Sequence, residues 1–199
     1  IDQNHDYTDY VNSNFYLLFT PFSGFSFTAR VNPSVANDRS MSLSNPFYGS
    51  PSTEGSVTVS HQRYVTMNQQ YIANYKKSFG LHNFEALAGF ENYTLLLQNL
   101  SGTNDHLYDP FIGELSNAFG AKKTASDAVS SNSEHYATAG FFGRLQYDFG
   151  SKYFFNATVR HEGSSRFAPE QRWGTFGSVG AAWMISREDF MDATNEWLQ

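Results

Sequence analysis

Tyr153-Phe154-Phe155-Asn156-Ala157-Thr158-Val159-Arg160-His161 decides the fold. Tyr153, Phe155, Ala157 and Val159 occupy alternate positions, and Asn156, Thr158 and Arg160 fall between them, with Phe154 the exception. A period of two puts the first set on one side of an extended chain and the second on the other, as in a strand with one apolar and one polar face. The alternation returns at residues 25–32, where Phe25, Phe27, Ala29 and Val31 alternate with Ser26, Thr28, Arg30 and Asn32. It returns again at 139–149, where Ala139, Phe141, Leu145, Tyr147 and Phe149 are set against Thr138, Arg144, Gln146 and Asp148. Further strands are expected at 12–20, 56–76, 83–97 and 172–186, which makes about seven and predicts an all-β antiparallel meander.

The expected connections alternate between short and long. Residues 21–24, 77–82 and 150–152 are rich in Gly, Ser or Pro and suit tight hairpins. Residues 36–55, 98–134 and 163–171 are long and polar. All long connections then lie at one end of the sheet, which is the asymmetry of a transmembrane β-barrel with short periplasmic turns and longer external loops. A soluble sandwich or propeller also alternates apolar and polar positions. Against it stand polar faces carrying Arg, Gln, Asn and Asp, strands longer than is usual in soluble sheets, and aromatic residues near the strand ends. Tyr147, Phe149, Tyr153, Trp173 and Trp183 are the expected girdle.

Composition narrows the classes further. The 199 residues are 17% aromatic and 16% charged, too rich in bulky apolar groups for a disordered chain. No apolar run is long enough to cross a bilayer as a helix. Zero Cys removes disulfides, Cys-ligated zinc and thiol chemistry. A net charge of -6 with 13 Lys+Arg argues against nucleic acid as a partner. The opening Ile1-Asp2-Gln3-Asn4-His5 has no basic-then-apolar leader, so the chain reads as an internal segment of something longer.

Five blocks then carry a family resemblance. Ala157-Thr158-Val159-Arg160, Gly163-Ser164-Ser165-Arg166-Phe167, Arg172-Trp173-Gly174-Thr175-Phe176, Ala181-Ala182-Trp183-Met184-Ile185-Ser186 and Phe190-Met191 resemble, in order and spacing, the barrel of SusC/RagA-type TonB-linked outer-membrane transporters of Bacteroidetes. Phe47-Tyr48-Gly49, Gly80-Leu81-His82-Asn83, Leu87-Ala88-Gly89 and Gly140-Phe141-Phe142-Gly143-Arg144 are similar to the preceding strands. The resemblance implies a parent barrel of about 22 strands closed by a plug, a SusD-like surface lipoprotein as lid, energy from the TonB system, and lipid bilayer and lipopolysaccharide around the wall. It implies an importer of oligosaccharide or peptide, non-enzymatic and without cofactor, and a structural role for Arg160, Gly163, Ser164, Ser165, Arg166, Phe167, Arg172, Trp173, Gly174, Phe176 and Trp183. Residues 1–199 would be an internal part of the barrel, lacking plug, TonB box and signal peptide. A passive barrel and a soluble carbohydrate-binding domain are the alternatives.

Sites of chemistry are sparse. The six His are scattered without His-x-His or His-Glu-x-x-His spacing. Gly163-Ser164-Ser165 lacks the Gly-x-Ser-x-Gly elbow, and Asp105 with Asp109 lacks the Gly and terminal Glu of a calcium loop. The stretch 98–134 is more informative. There Tyr108, Phe111 and Phe119 stand among Asn104, Asp105, Asp109 and Asn117, a mixture suited to stacking on sugars or gripping a peptide. The same aromatics could instead pack the loop onto its neighbours or onto a lid.

Overall fold

The computed structural model describes residues 2–47, 54–118 and 129–194. Its strands are β1 (Gln3–Asn12), β2 (Phe15–Phe19), β3 (Phe25–Ser44), β4 (Ser56–Phe79), β5 (His82–Asp105), β6 (Ser130–Phe149), β7 (Tyr153–Ser164) and β8 (Trp173–Trp183). They form one sheet in the order β1-β3-β4-β5-β6-β7-β8, with β2 also paired to β3.

β1 and β2 are two pieces of one edge strand. Asn12 pairs with Ser34 and Phe15 with Val31 in an unbroken register. The interruption falls opposite Pro33, which has no N–H to give the ladder and is tolerated because its own carbonyl still accepts from the Ser13 N–H at 3.0 Å. The expected seven strands are thus recovered, with one of them broken.

Two compact units are distinguished, and β3, β4, β5 and β6 contribute to both. The unit comprising Asn14–Asn32, Asn68–Tyr93 and Ala137–Gln199 holds the alternating stretches. Here register aligns like with like. Leu145, Ala157 and Val179 lie in one row across β6, β7 and β8, and Arg144, Thr158 and Ser178 lie in the next. Directly opposed residues share a face, so these rows give the sheet an apolar and a polar side, with Phe142, Phe154 and Phe176 as aromatic exceptions on the polar one. Among the described residues nothing covers the apolar side: Val159 is 52% and Val179 79% exposed. So broad an apolar surface needs a hydrocarbon or protein partner.

Aromatic rings rim this side. Phe79 stacks on His82 at 5.0 Å, His82 meets Phe149 at 4.8 Å, Phe149 meets Tyr153 at 6.3 Å and Tyr153 stacks on Trp183 at 6.3 Å. That chain follows the short-turn end of β4 to β8, as expected for Phe149, Tyr153 and Trp183, while Tyr147 joins it through its hydroxyl, 2.7 Å from His82 Nδ1. Trp173 stands near the opposite end of β7, stacked on His161 at 5.0 Å. Trp183 pairs with Tyr153 and Trp173 with Gly163, so the two ends lie ten residues of β7 apart, roughly 33 Å at the usual strand rise, which suits a tilted crossing of a hydrocarbon layer.

The turns at the rim use left-handed backbone. Gly150 and Ser151 have φ of 60° and 54°, and Gly24 has φ of 83° with Lys76 O only 2.2 Å from where a Cβ would sit.

In the unit comprising Ile1–Ser13, Pro33–Met67 and Thr94–Tyr136 lie the buried apolar side chains of the described residues, Leu43, Val57 and Ala118, packed with Met41, Val59, Leu107 and Leu115. The strands here correct the sequence reading. β3 runs to Ser44, β5 to Asp105 and β6 begins at Ser130, so much of the expected loops 36–55 and 98–134 is strand, and β1 extends the edge back to Gln3. Segments such as Gln98-Asn99-Leu100-Ser101-Gly102-Thr103-Asn104-Asp105 keep their ladder with mostly polar side chains on both faces. With neither face apolar they lose the alternation that betrays a strand. Asp105 accordingly ends a strand and is not a loop residue. At the other end, β8 starts at Trp173 and stops at Trp183, and residues 185–187 and 189–194 form 3-10 turns where a strand to 186 was expected.

Candidate functional site

The β5–β6 connection folds as a small lobe. Leu107 and Ala118 make an isolated antiparallel bridge, closing the loop, and Leu107, Leu115 and Ala118 turn inward onto Leu43 and Val57. The inward packing is therefore done by aliphatic residues. Tyr108 and Phe111 point outward, 70% and 67% exposed, as does Phe47 of the β3–β4 connection. Phe119 lies outside the described residues, as do Tyr48 and Gly49.

Asparagines hold the lobe. Asn104 Nδ2 donates to the carbonyls of Leu115 and Ala118 at 3.2 and 3.0 Å. Asn45, 2% exposed, donates from Nδ2 to Pro110 O at 3.3 Å and accepts at Oδ1 from the Phe47 N–H at 2.9 Å, so it ties the two connections together. Asp109 accepts the Phe111 N–H at 2.9 Å. Glu54 and Asp105 flank the two nitrogens of His106 at 2.5 and 2.9 Å, and Glu114 pairs with Arg39 at 3.4 Å. The carboxylates near the aromatic tip are thus engaged within the lobe. Asp105 and Asp109 are brought near it, but among the described residues no group of carboxylates and histidines could hold a metal ion.

On the polar side of β4 to β7 the charges form ladders. Lys76 reaches Glu85 at 3.0 Å and Glu85 reaches Arg144 at 3.3 Å. Arg160 pairs with both Glu91 and Glu162 and lies over the Phe142 ring at 5.9 Å. A groove of about 470 Å³ runs here between Phe142 and Phe176, bordered by Leu87, Arg144, Thr158 and Arg160. Phe142 needs Gly89 beneath it, because a Cβ there would sit 2.3 Å from its ring.

The motif residues shape the β7–β8 hairpin. A Cβ on Gly163 would meet Trp173 at 2.8 Å, so the glycine lets the indole lie across its strand partner. Ser164 N–H donates to Arg172 O at 3.1 Å, Arg172 Nε donates to Phe167 O at 3.1 Å, and Ser164 Oγ accepts from the Arg166 N–H at 3.3 Å. Ser165 extends the pairing to β6, its Oγ accepting from Ala137 N–H at 2.9 Å. Gly174 and Phe176 continue β8 on the polar side, with Phe176 59% exposed.

At the short-turn end the sequence reading missed Glu188. Its carboxylate accepts from Tyr153 OH at 2.6 Å, Trp183 Nε1 at 3.0 Å and Lys152 Nζ at 3.2 Å. The bond from Tyr153 foremost, then that from Trp183 and the Lys152 ammonium, hold the Glu188 carboxyl below its ordinary value of 4.5. The same pairing raises Lys152 above 10.5. Met184 N–H and Arg187 Nη1 donate to the carbonyls of Lys152 and Ser151, so the segment after β8 is stitched to the β6–β7 turn. Only the presence of an acidic residue after the Trp183 block could have signalled this.

A one-sided antiparallel sheet with an aromatic rim, ion-paired polar rows and unequal connections has the form of a stretch of β-barrel wall. No family model matches the sequence. The TonB-dependent receptor SusC of Bacteroides thetaiotaomicron is 30% identical over 158 residues, 77% of this chain and 14% of its own length. TonB-dependent receptor P39 of Formosa agariphila is 30% identical over 131 residues, 64% of this chain and 12% of its own. The solved RagAB peptide transporter superposes with a TM-score of 0.86 at 24% identity, over 96% of this chain and 21% of that one. The chain belongs to the SusC/RagA-type TonB-dependent receptors and spans about a seventh of the length of SusC.

Proposed function

We propose that the chain forms part of the barrel wall of an outer-membrane importer that moves oligosaccharide or peptide into the periplasm, without enzymatic chemistry. The observation that carries the reading is the row register: Leu145–Ala157–Val179 on one face and Arg144–Thr158–Ser178 on the other. The first row suits lipid and the inner edge of lipopolysaccharide, and the second suits a wet interior. On this reading the groove between Phe142 and Phe176 faces a plug domain supplied elsewhere in the full-length protein, which also carries the contact with TonB. Tyr108 and Phe111 serve on the outer face to capture the nutrient, with Phe47 beside them, beneath a SusD-like lipoprotein lid. The peptide named for RagAB favours a peptide.

The test is uptake by cells carrying the full-length protein, supplied with labelled neutral maltooligosaccharides or a labelled casein digest. Uptake of one mixture that stops when TonB is removed supports the reading. Uptake independent of TonB would mark a passive barrel, and a detergent-free, soluble protein would end the membrane assignment.

A further inference from the structure

We infer that Asn117 is the positioning residue of the aromatic tip, an inference that rests on the capture role proposed above for Tyr108 and Phe111. Every polar atom of its carboxamide is used on the loop backbone. Oδ1 accepts from the Asp109 N–H at 3.1 Å, and Nδ2 donates to Asp109 O at 2.6 Å and to Ile112 O at 2.8 Å. Its main-chain carbonyl accepts from the Tyr108 N–H at 2.8 Å. One residue therefore fixes the backbone at Tyr108, at Asp109 and just beyond Phe111, while both rings stay outward. Asp109 adds the bond to Phe111 N–H, and Asn45 holds Pro110 between them.

A ligand that meets an ordered tip does not have to order it. If the tip samples its competent arrangement only part of the time, the apparent dissociation constant rises by the inverse of that fraction. The chemistry of the contacts singles out a primary amide. Aspartate keeps the shape and the acceptor but sets a carboxylate oxygen against two carbonyls, and alanine removes all three side-chain bonds. None of these contacts belongs to a strand ladder, so their loss acts on capture and leaves the wall intact.

The experiment measures initial uptake of labelled maltooligosaccharides and of labelled casein digest against concentration, in cells carrying the full-length protein, with assembled barrel quantified in each strain. Asn117→Ala and Asn117→Asp should raise the half-saturating concentration about tenfold at an unchanged maximal rate per barrel. Asn117→Ser, which keeps one donor, should raise it less. The double variant Tyr108→Ala/Phe111→Ala should also raise it. If that double variant saturates like the parent, or neither mixture is taken up, the capture reading fails and this inference falls with it. If the aromatic variant is impaired while the Asn117 variants are normal, lose only maximal rate, or are restored by Asp, the assignment alone is overturned. Should Asn117→Ala not assemble, Asn117→Ser is read by the same criteria.

Discussion

Glu188 keeps its charge because three donors converge on one carboxylate, and the consequence is a pH dependence with a definite sign. Its folded-state value lies below 4.5, so its contribution is fully present above that pH and is lost as pH falls through the lowered value. Lys152 is raised by the same contact, so its share is present below 10.5 and is lost as pH climbs through the raised value. Acidification below about pH 4.5 should therefore release the segment after β8, and Glu188→Gln should release it at neutral pH. Hydrogen exchange at the Met184 and Arg187 amides reads this directly; unchanged protection in the variant would mean that the backbone bonds alone hold the segment. Gly163 allows a second test. With Trp173 2.8 Å from where its Cβ would be, Gly163→Ala must displace the indole. Overpacking of this kind costs about 1 to 3 kcal/mol, to be measured as a lowered urea midpoint of the full-length barrel. A wild-type midpoint would show that the indole has room to move.

β7 shows what an element can say about its surroundings. Its alternation was legible because one face of the strand is apolar and the other polar, and a membrane would impose on sequence the same period of two as a protein core does. Ala157→Lys must hold a charge on the apolar side, whereas Thr158→Lys keeps it on the wet one. Substitution by Lys near the midplane of the lipid face costs roughly 2 to 4 kcal/mol, falling to about 0 to 1 near the interfaces. Snorkelling of the Lys stem favours the lower end. Refolding titrations of the full-length protein into bilayers should therefore separate the two variants, and equal costs would mean that β7 does not cross lipid. The strand extensions were illegible for the converse reason: beyond Leu97 β5 carries mostly polar side chains on both faces, and the bonds that order them, Thr103 to Thr58, Ser101 to Ser60 and Asn99 to Asn132, join strands that only the fold brings together. β1 stayed hidden likewise, since His5-Asp6-Tyr7-Thr8-Asp9 carries no apolar face to mark it.

At the scale of the molecule, the chain pattern marked the two faces of the sheet but not the inside of the β5–β6 lobe. Tyr108, Phe111, Asp105 and Asp109 were recognisable as a mixture suited to recognition. What arranges them was not, because it consists of asparagine amides bonded to carbonyls that only the folded chain brings near: Asn117 to Ile112, Asn104 to Ala118, Asn45 to Pro110. The ladders Lys76–Glu85–Arg144 and Glu91–Arg160–Glu162 were likewise unreadable, since each joins strands far apart in sequence, although the polarity of their rows was plain.

Those rows make the claim directly measurable. The 199 residues contain no Cys, so single cysteines placed here can be labelled selectively once any others in the full-length protein are replaced. A bimane fluorophore attached at Leu145→Cys, Ala157→Cys or Val179→Cys, in bilayers containing brominated lipid, should be strongly quenched. At Arg144→Cys, Thr158→Cys or Ser178→Cys it should not be, and should respond to aqueous iodide in its place. Lipid quenching that fails to alternate between these two rows, or that falls on the Arg144–Thr158–Ser178 row, would contradict the assignment of this sheet to a membrane-spanning barrel wall.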